Sequence, residues 1–285
     1  MCPPLMGRHK TGPYNSVIIM KIKIGIIGGG NMGTAILAGI GRKYTVRVCE
    51  QDAKRAGFLK RRFGVKAADL ATVAAEPRII ILAVKPQNFD EVLATLHGRV
   101  REDQLIISIA AGITCRYIEQ RLFPKGEQKV RVVRTMPNLP AQVGEAVTGI
   151  CRGKFATTVD IKTAQQIFNC IGKTVVVEER FMDAVTAVSG SGPGYIFYFV
   201  ECLEKAAWSL GLSPALAKEL VAQTLKGSVR LLEQSGEGAD VLRARVTSKG
   251  GTTQAALAVF EKHKMGKIIQ QALAAARKRA KELSK

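Results

Sequence analysis

Three glycines spaced as Gly28-x-Gly30-x-x-Gly33, with Asn31 and Met32 between the last two, are the strongest chemical signal in this sequence. At this spacing the first glycine lets the chain turn sharply. The second lets the backbone approach a pyrophosphate, and the third lets a helix pack on the strand that precedes it. The amides of the first helical turn and the positive end of the helix dipole then face the phosphates. The flanking residues suit this reading: residues 22–27 are an apolar run, and Ile36, Leu37 and Ile40 follow at helical spacing. Glu50 ends the next strand about 20 residues on, where an acid can bond a ribose hydroxyl.

Three polar loops stop apolar strands further along the chain: Ala83-Val84-Lys85-Pro86, Ala110-Ala111-Gly112 and Met136-Pro137-Asn138. Ligands of open α/β sheets bind beyond the carboxyl ends of the strands, so these loops join the glycine turn as candidate cofactor contacts. A second glycine-rich loop, Thr247-Ser248-Lys249-Gly250-Gly251-Thr252-Thr253, lies far downstream. Other chemistries fail on spacing. Gly172-Lys173-Thr174 ends like a phosphate-binding P-loop, but Ile167 stands where that loop needs glycine. No His-Glu-x-x-His or Cys-x-x-Cys pattern is present, so no metal site is expected. His9, His97 and His263 fall in a tail or on polar helix faces, and none is expected to act as a general base.

The elements that must position these residues alternate. Strands are expected near residues 45–49, 65–67, 78–84, 105–109, 130–133, 148–151 and 174–177, with helices near 53–63, 87–97, 114–123 and 158–171. The run Ile79-Ile80-Ile81-Leu82 is apolar throughout, as a central parallel strand buried on both faces must be. The pattern is that of a doubly wound α/β sheet. From Phe181 onward strand-like alternation stops. Residues 184–212 are apolar nearly all the way round, and a helix without a polar face must be covered on every side. A region of about 100 residues has little interior to offer, so a second copy of the chain is expected to cover it. Ser213-Pro214 caps a helix running to about residue 234, and residues 235–238 break it. A short helix is expected at 240–246, and one continuous helix from Gln254 to the basic end of the chain. The division expected is an N-terminal extension at 1–19, a nucleotide-binding sheet domain at 20–180 and an all-helical domain at 181–285.

The chain has 285 residues, 47% of them hydrophobic, which suits two packed domains and not disorder. Its 43 basic and 23 acidic residues give a net charge of +20. The basic residues are spread along the chain with no zinc-finger or aromatic-platform pattern, so no nucleic-acid role is expected. Six cysteines without paired spacing indicate a reducing compartment, hence cytoplasm. Residues 22–41 are apolar enough to suggest a membrane span, but Lys23, Asn31 and the glycines argue against one.

Five stretches taken in order resemble the pyrroline-5-carboxylate reductase family: Gly28-Gly-Gly-Asn-Met32, Ala83-Val-Lys-Pro-Gln87, Arg134-Thr-Met-Pro-Asn138, residues 183–193 and residues 246–253. The chain departs at Lys249, where the family usually has proline, and at Leu139, where it commonly has threonine. The resemblance implies a Rossmann-type doubly wound sheet followed by an all-α dimerisation domain. It also implies reduction of 1-pyrroline-5-carboxylate to L-proline by NADPH or NADH, in a homodimer that can assemble further. On this resemblance Gly28, Gly30, Asn31, Met32, Gly33, Glu50, Ala83, Val84, Lys85, Pro86, Ala111, Gly112, Pro137 and Asn138 hold the cofactor. Thr247, Ser248, Gly250, Gly251, Thr252 and Thr253 hold the substrate, with the Thr253 hydroxyl on the ring nitrogen. Glu50 favours NADH by repelling a 2′-phosphate, while Lys54 and Arg55 lie near enough in sequence to attract one, so both cofactors are expected to work. Two other readings fit parts of the pattern. One is a β-hydroxyacid-type dehydrogenase, which would need a catalytic lysine on the helical domain; the other is a non-catalytic dinucleotide sensor.

Overall fold

The computed structural model describes residues 22–124, 126 and 128–284. The expected N-terminal extension, with Cys2 and His9, lies outside them. Among the described residues eight strands form one sheet: β1 (Lys23–Ile27), β2 (Thr45–Cys49), β3 (Lys66–Ala67), β4 (Ile79–Leu82), β5 (Leu105–Ser108), β6 (Arg131–Met136), β7 (Ala146–Arg152) and β8 (Gly172–Val176). Their order is β3-β2-β1-β4-β5-β6-β7-β8, with the topological switch between β1 and β4. The central strands carry side chains to both faces, so each face needs its own helical layer. Ile79 and Ile81 pack with α1 (Asn31–Ile40), α6 (Thr158–Phe168) and Leu59 of α2 (Ala53–Phe63). Ile80 and Leu82 pack on the other face with α3 (Leu70–Ala75), α4 (Phe89–Leu96) and α5 (Cys115–Leu122). Each of these buried aliphatic side chains contributes about 1.5–3 kcal/mol.

Two features of the sheet were not expected. The helix α3 has only six residues, too few to show a period, and is held by its N-cap, where Asp69 accepts the Thr72 N–H. Strand β7 runs antiparallel to β6, while the other neighbouring pairs are parallel. The reason is the short link: a single 3₁₀ turn, Leu139–Val143, joins β6 to β7, and a parallel crossover needs a dozen residues or more.

After β8 the chain is helical: α7 (Met182–Val185), a π-helical turn (Thr186–Gly190), α8 (Gly192–Ser209), α9 (Pro214–Ser235), α10 (Ala239–Arg245), α11 (Thr252–Lys262) and α12 (Met265–Glu282). Between α7 and α8 the chain makes a single π turn, in which the Ser191 N–H donates to the Thr186 carbonyl at 2.8 Å. The expected single C-terminal helix is two: it begins at Thr252, ends at Lys262 and resumes at Met265 after Lys264, whose backbone is left-handed (φ 54°). Only glycine adopts that region freely, and periodicity gives no sign of such a break.

Arg134 of β6 ties the sheet to this helical region. Its side chain is 3% exposed and lies 3.5 Å from Glu179 and 3.9 Å from Asp183. The end of α12 returns to the same place, where the Ser284 hydroxyl donates to Asp183 at 3.3 Å. The rest of the helical region is open in one chain. α8 has no buried residue, and Phe197, Tyr198 and Leu210 are 59%, 68% and 82% exposed. Among the described residues no helix is long and apolar enough to cross a membrane.

Candidate functional site

The turn between β1 and α1 has the geometry that its three glycines imply. Gly28 has φ 101°, and a Cβ there would lie 2.6 Å from the Ala83 carbonyl oxygen, so a side chain is excluded by both conformation and space. A Cβ on Gly33 would lie 2.2 Å from the Gly28 carbonyl oxygen; only glycine lets α1 sit this close to the turn. Gly30 is the opposite case. Nothing lies within 4 Å of its Cβ position, and as N-cap of α1 it makes no side-chain bond to the amides behind it. These are the features of a shelf that a diphosphate can occupy, with free N–H groups and a helix dipole behind it.

Glu50 follows β2 and grips the turn. Its Oε2 accepts the Gly29 N–H at 2.6 Å and its Oε1 the Asp52 N–H at 2.9 Å. Gly29 was not singled out from sequence, yet a Cβ there would meet Leu59 at 2.4 Å. Arg55 is the other residue over the turn. Its Nε donates to the Gly29 carbonyl at 2.7 Å, and its Nη2 lies 3.1 Å from the Thr34 hydroxyl and 3.5 Å from Asn31 Oδ1. An acid and a base thus stand side by side at the end of β2, where a ribose and its 2′ substituent would lie.

The remaining sheet-edge residues divide. Ala83 continues β4, its N–H donating to the Ile27 carbonyl at 2.7 Å, which puts Val84, Lys85 and Pro86 beside the glycine turn. Met32 packs against the core under α1. Gly112, near Ala111, is covered: a Cβ on it would lie 2.5 Å from the Leu283 carbonyl oxygen at the end of α12. Asn138, next to Pro137, is 8% exposed and serves the fold. It donates to the Ser189 carbonyl at 3.1 Å and accepts the Val147 N–H at 3.0 Å, fastening the π turn to β7.

The loop at residues 247–253 leads into α11. Its named bonds are local: the Thr247 hydroxyl to the Arg243 carbonyl at 2.6 Å, the Gly251 N–H to the Ser248 carbonyl at 3.0 Å, and the Gly250 N–H to Gln254 Oε1 at 2.6 Å. Thr252 and Thr253 form the first turn of α11, whose N-cap, Gly251, carries no side-chain bond. The Gly250 and Gly251 amides are therefore taken up inside the loop, the first by the Gln254 carboxamide. His97 is also not simply solvated: its Nδ1 lies 2.7 Å from the Leu122 carbonyl, beside the Phe123 ring.

Residues 179–283 match the family model for pyrroline-5-carboxylate reductase dimerisation, and residues 23–112 match that for NADP oxidoreductase, coenzyme F420-dependent. The chain is 38% identical to a pyrroline-5-carboxylate reductase of Synechocystis sp., with 93% of this chain and all of that one aligned. The chain belongs to the pyrroline-5-carboxylate reductase family. Two solved reductases share its fold. The Coxiella burnetii enzyme is 35% identical with a TM-score of 0.86, and the Plasmodium falciparum enzyme, with NADP bound, is 31% identical with a TM-score of 0.82; each covers 93% of this chain and 99% of its own. The N-terminal sheet is thus an NADP-type dinucleotide fold and the C-terminal helices a dimerisation fold. As a member of the family the chain is an NAD(P)H-dependent oxidoreductase acting on a cyclic imine.

Proposed function

We propose that this reductase binds its cofactor on the Gly28–Gly33 turn and its substrate, 1-pyrroline-5-carboxylate, on the loop at residues 247–253 of a second copy in a homodimer. The observation that carries the reading is the Gly30 shelf at the uncapped N-terminus of α1, open where every neighbouring glycine of the turn is packed. When bound there, the reduced nicotinamide supplies a hydride for the imine carbon, and the product ring is that of L-proline.

The chain's own task is orientation. A protonated cyclic imine already carries the proton and the positive charge that a hydride acceptor needs, so alignment contributes more than a strong acid would. The absence of a histidine or carboxylate dyad among the candidate residues suits such chemistry. The N-terminus of α11 and the amides of residues 250–252 would receive the substrate carboxylate, displacing the Gln254 carboxamide. The Thr253 hydroxyl would bond the ring nitrogen. Glu50 and Arg55 together support use of both NADH and NADPH, since the acid suits a free 2′-hydroxyl and the guanidinium a 2′-phosphate.

The bare apolar face of α8 supports the homodimer as the working unit. The division into a cofactor domain at 20–180 and a helical domain at 181–285, with a second copy completing the site, follows from the same reading. The test is steady-state kinetics with the imine as sole substrate, followed by nicotinamide absorbance. Thr253→Ala should lose a hydrogen bond to a charged group, about 1.5–3 kcal/mol, or about 10- to 150-fold in kcat/KM. An unchanged kcat/KM would remove Thr253 from the site.

A further inference from the structure

Two buried cysteines with no part in the reaction above lie together. Cys115 opens α5, Cys151 sits in β7, and Glu179 stands in the turn between β8 and α7. One atom from each, the two Sγ and a carboxylate oxygen, all lie within 4.8 Å of one another. We propose that Cys115, Cys151 and Glu179 form a binding site for a thiophilic divalent cation of the zinc class, with a water from the adjoining cavity as fourth ligand.

Four observations favour a cation. Thiolate sulfur with one carboxylate oxygen is a donor set that selects zinc-like ions over magnesium or calcium. The donors come from three separate elements, and both cysteines are 1% exposed, so the fold holds them in place. Glu179 is already oriented, as a metal-binding carboxylate usually is: its Oε1 accepts the Cys115 N–H at 2.8 Å and lies 3.5 Å from Arg134 Nη1. The surroundings also call for positive charge: Glu119 lines the same cavity as Cys115 and Glu179, and the buried Arg134 guanidinium beside Glu179 is shared with Asp183.

Access and the fourth position come from a cavity of about 530 Å³ lined by Cys115, Glu119, Gln128, Gly153 and Glu179 among others. Gln128 Oε1 is buried with no hydrogen-bond partner among the described residues, an acceptor that a metal-bound water can serve. On binding, each thiol forms a bond from sulfur to the ion and gives its proton to the solvent. The ion would join the start of α5, β7 and the β8–α7 turn, the place where the sheet passes into the dimerisation helices. Nothing in the spacing of Cys115, Cys151 and Glu179 announces this, since the trio is assembled by β7 turning back beside β6.

The test uses the full-length chain, reduced and stripped with chelator, then titrated with Co²⁺ followed by Zn²⁺. The expected result is a thiolate-to-cobalt charge-transfer band with tetrahedral d–d bands, saturating at one ion per chain and erased by Zn²⁺, with release of one proton per thiol. Cys115→Ser and Cys151→Ser should each lose the charge-transfer intensity of one sulfur and weaken binding by about a hundredfold or more. Cys49→Ser and Cys170→Ser should change nothing. Should the serine variants fail to fold by circular dichroism, Glu179→Gln reads the same site with both thiols intact, through weaker binding and shifted d–d bands. No band in the wild-type chain, or a band that survives in the Cys115→Ser/Cys151→Ser double variant, would overturn the proposal. So would a cysteine pair that oxidises to a disulfide and takes up no Co²⁺ once reduced.

Discussion

Gly30 and Gly33 are three residues apart, yet replacing each by alanine should break different things. At Gly33 the new Cβ would lie 2.2 Å from the Gly28 carbonyl oxygen, well inside van der Waals contact and against backbone, which cannot swing away. Helix α1 would have to move off the turn. Overpacking of this kind costs about 1–3 kcal/mol, partly offset by about 0.8–1 kcal/mol of helix propensity gained on leaving glycine. A net loss approaching 2 kcal/mol lowers Tm by about 4–8 °C for a chain of this size. At Gly30 the Cβ meets nothing within 4 Å and the backbone is extended with φ −60°, which alanine adopts without strain. Gly30→Ala should therefore match or slightly exceed the wild type in Tm, because alanine restricts the unfolded chain.

Binding should show the reverse order of cause. The Gly30 methyl would stand on the shelf where the pyrophosphate approaches, so Gly30→Ala should weaken NADPH binding by about tenfold or more, each tenfold being about 1.4 kcal/mol. Thermal unfolding without ligand and fluorescence titration with NADPH, on the same preparations, separate the two effects. A Gly30→Ala variant with wild-type affinity would mean that the diphosphate does not lie on this shelf. A Gly33→Ala variant with wild-type Tm would mean that α1 slides freely and that its packing on the turn has been overstated.

Three further outcomes are expected. Arg134→Met leaves Glu179 and Asp183 without their shared cation, and since both acids keep some solvent the loss should be about 1–3 kcal/mol in urea unfolding; no change would mean the pair is already solvated. Gln254→Glu puts a carboxylate where the substrate's own should bind, on the Gly250 N–H, and should raise KM for the imine about tenfold or more through charge repulsion and competition, with kcat nearly unchanged; an unaltered KM would place the substrate elsewhere. Backbone and side-chain hydrogen bonds from Thr72 hold the Asp69 carboxyl below its ordinary value. Its stabilising effect is thus complete above the unfolded aspartate pKa and is lost as pH falls through the lowered folded value. Asp69→Asn should flatten the acid limb of stability between about pH 2 and 5, and an acid limb of unchanged slope would count against this cap.

The strands were legible because their signal is dense: Ile79, Ile80, Ile81 and Leu82 must be buried on both faces, and the structure buries them all. The glycine turn was legible for a different reason, since its residues fix a local geometry whatever packs around it. What sequence missed depends on partners far along the chain. Asn138 reads as a polar loop residue, yet its two ends are consumed by Val147 and Ser189. Gly112 reads as open, yet the end of α12 covers it. Gln254 reads as the start of a helix, yet its carboxamide occupies the Gly250 amide of the loop before it. Its position four residues after Gly250 was the available signal, because a side chain at the start of a helix can reach back to the turn before it.

The helix ends show why two glycine-rich loops, rather than a set of charged side chains, are the parts of this chain suited to anionic ligands. Helices α2, α3, α5, α6 and α9 close their N-termini with Asp52, Asp69, Thr114, Thr157 and Ser213, each accepting a backbone N–H. Among the described helices of eight residues or more, α1 and α11 begin at a glycine N-cap, with no side-chain bond and no acid in the first turn. The short α10 also starts at a glycine, but Asp240 in its first turn repels an anion. A glycine N-cap forgoes roughly a few tenths of a kcal/mol relative to serine or aspartate, and a bound anion can return it. The cofactor's diphosphate on α1 and the substrate's carboxylate on α11 would do so at opposite ends of one reaction. Serine placed at the open cap, as Gly30→Ser, should therefore raise the thermal stability of the free protein slightly while weakening the cofactor, and a variant that gained stability with no loss of affinity would refute the link.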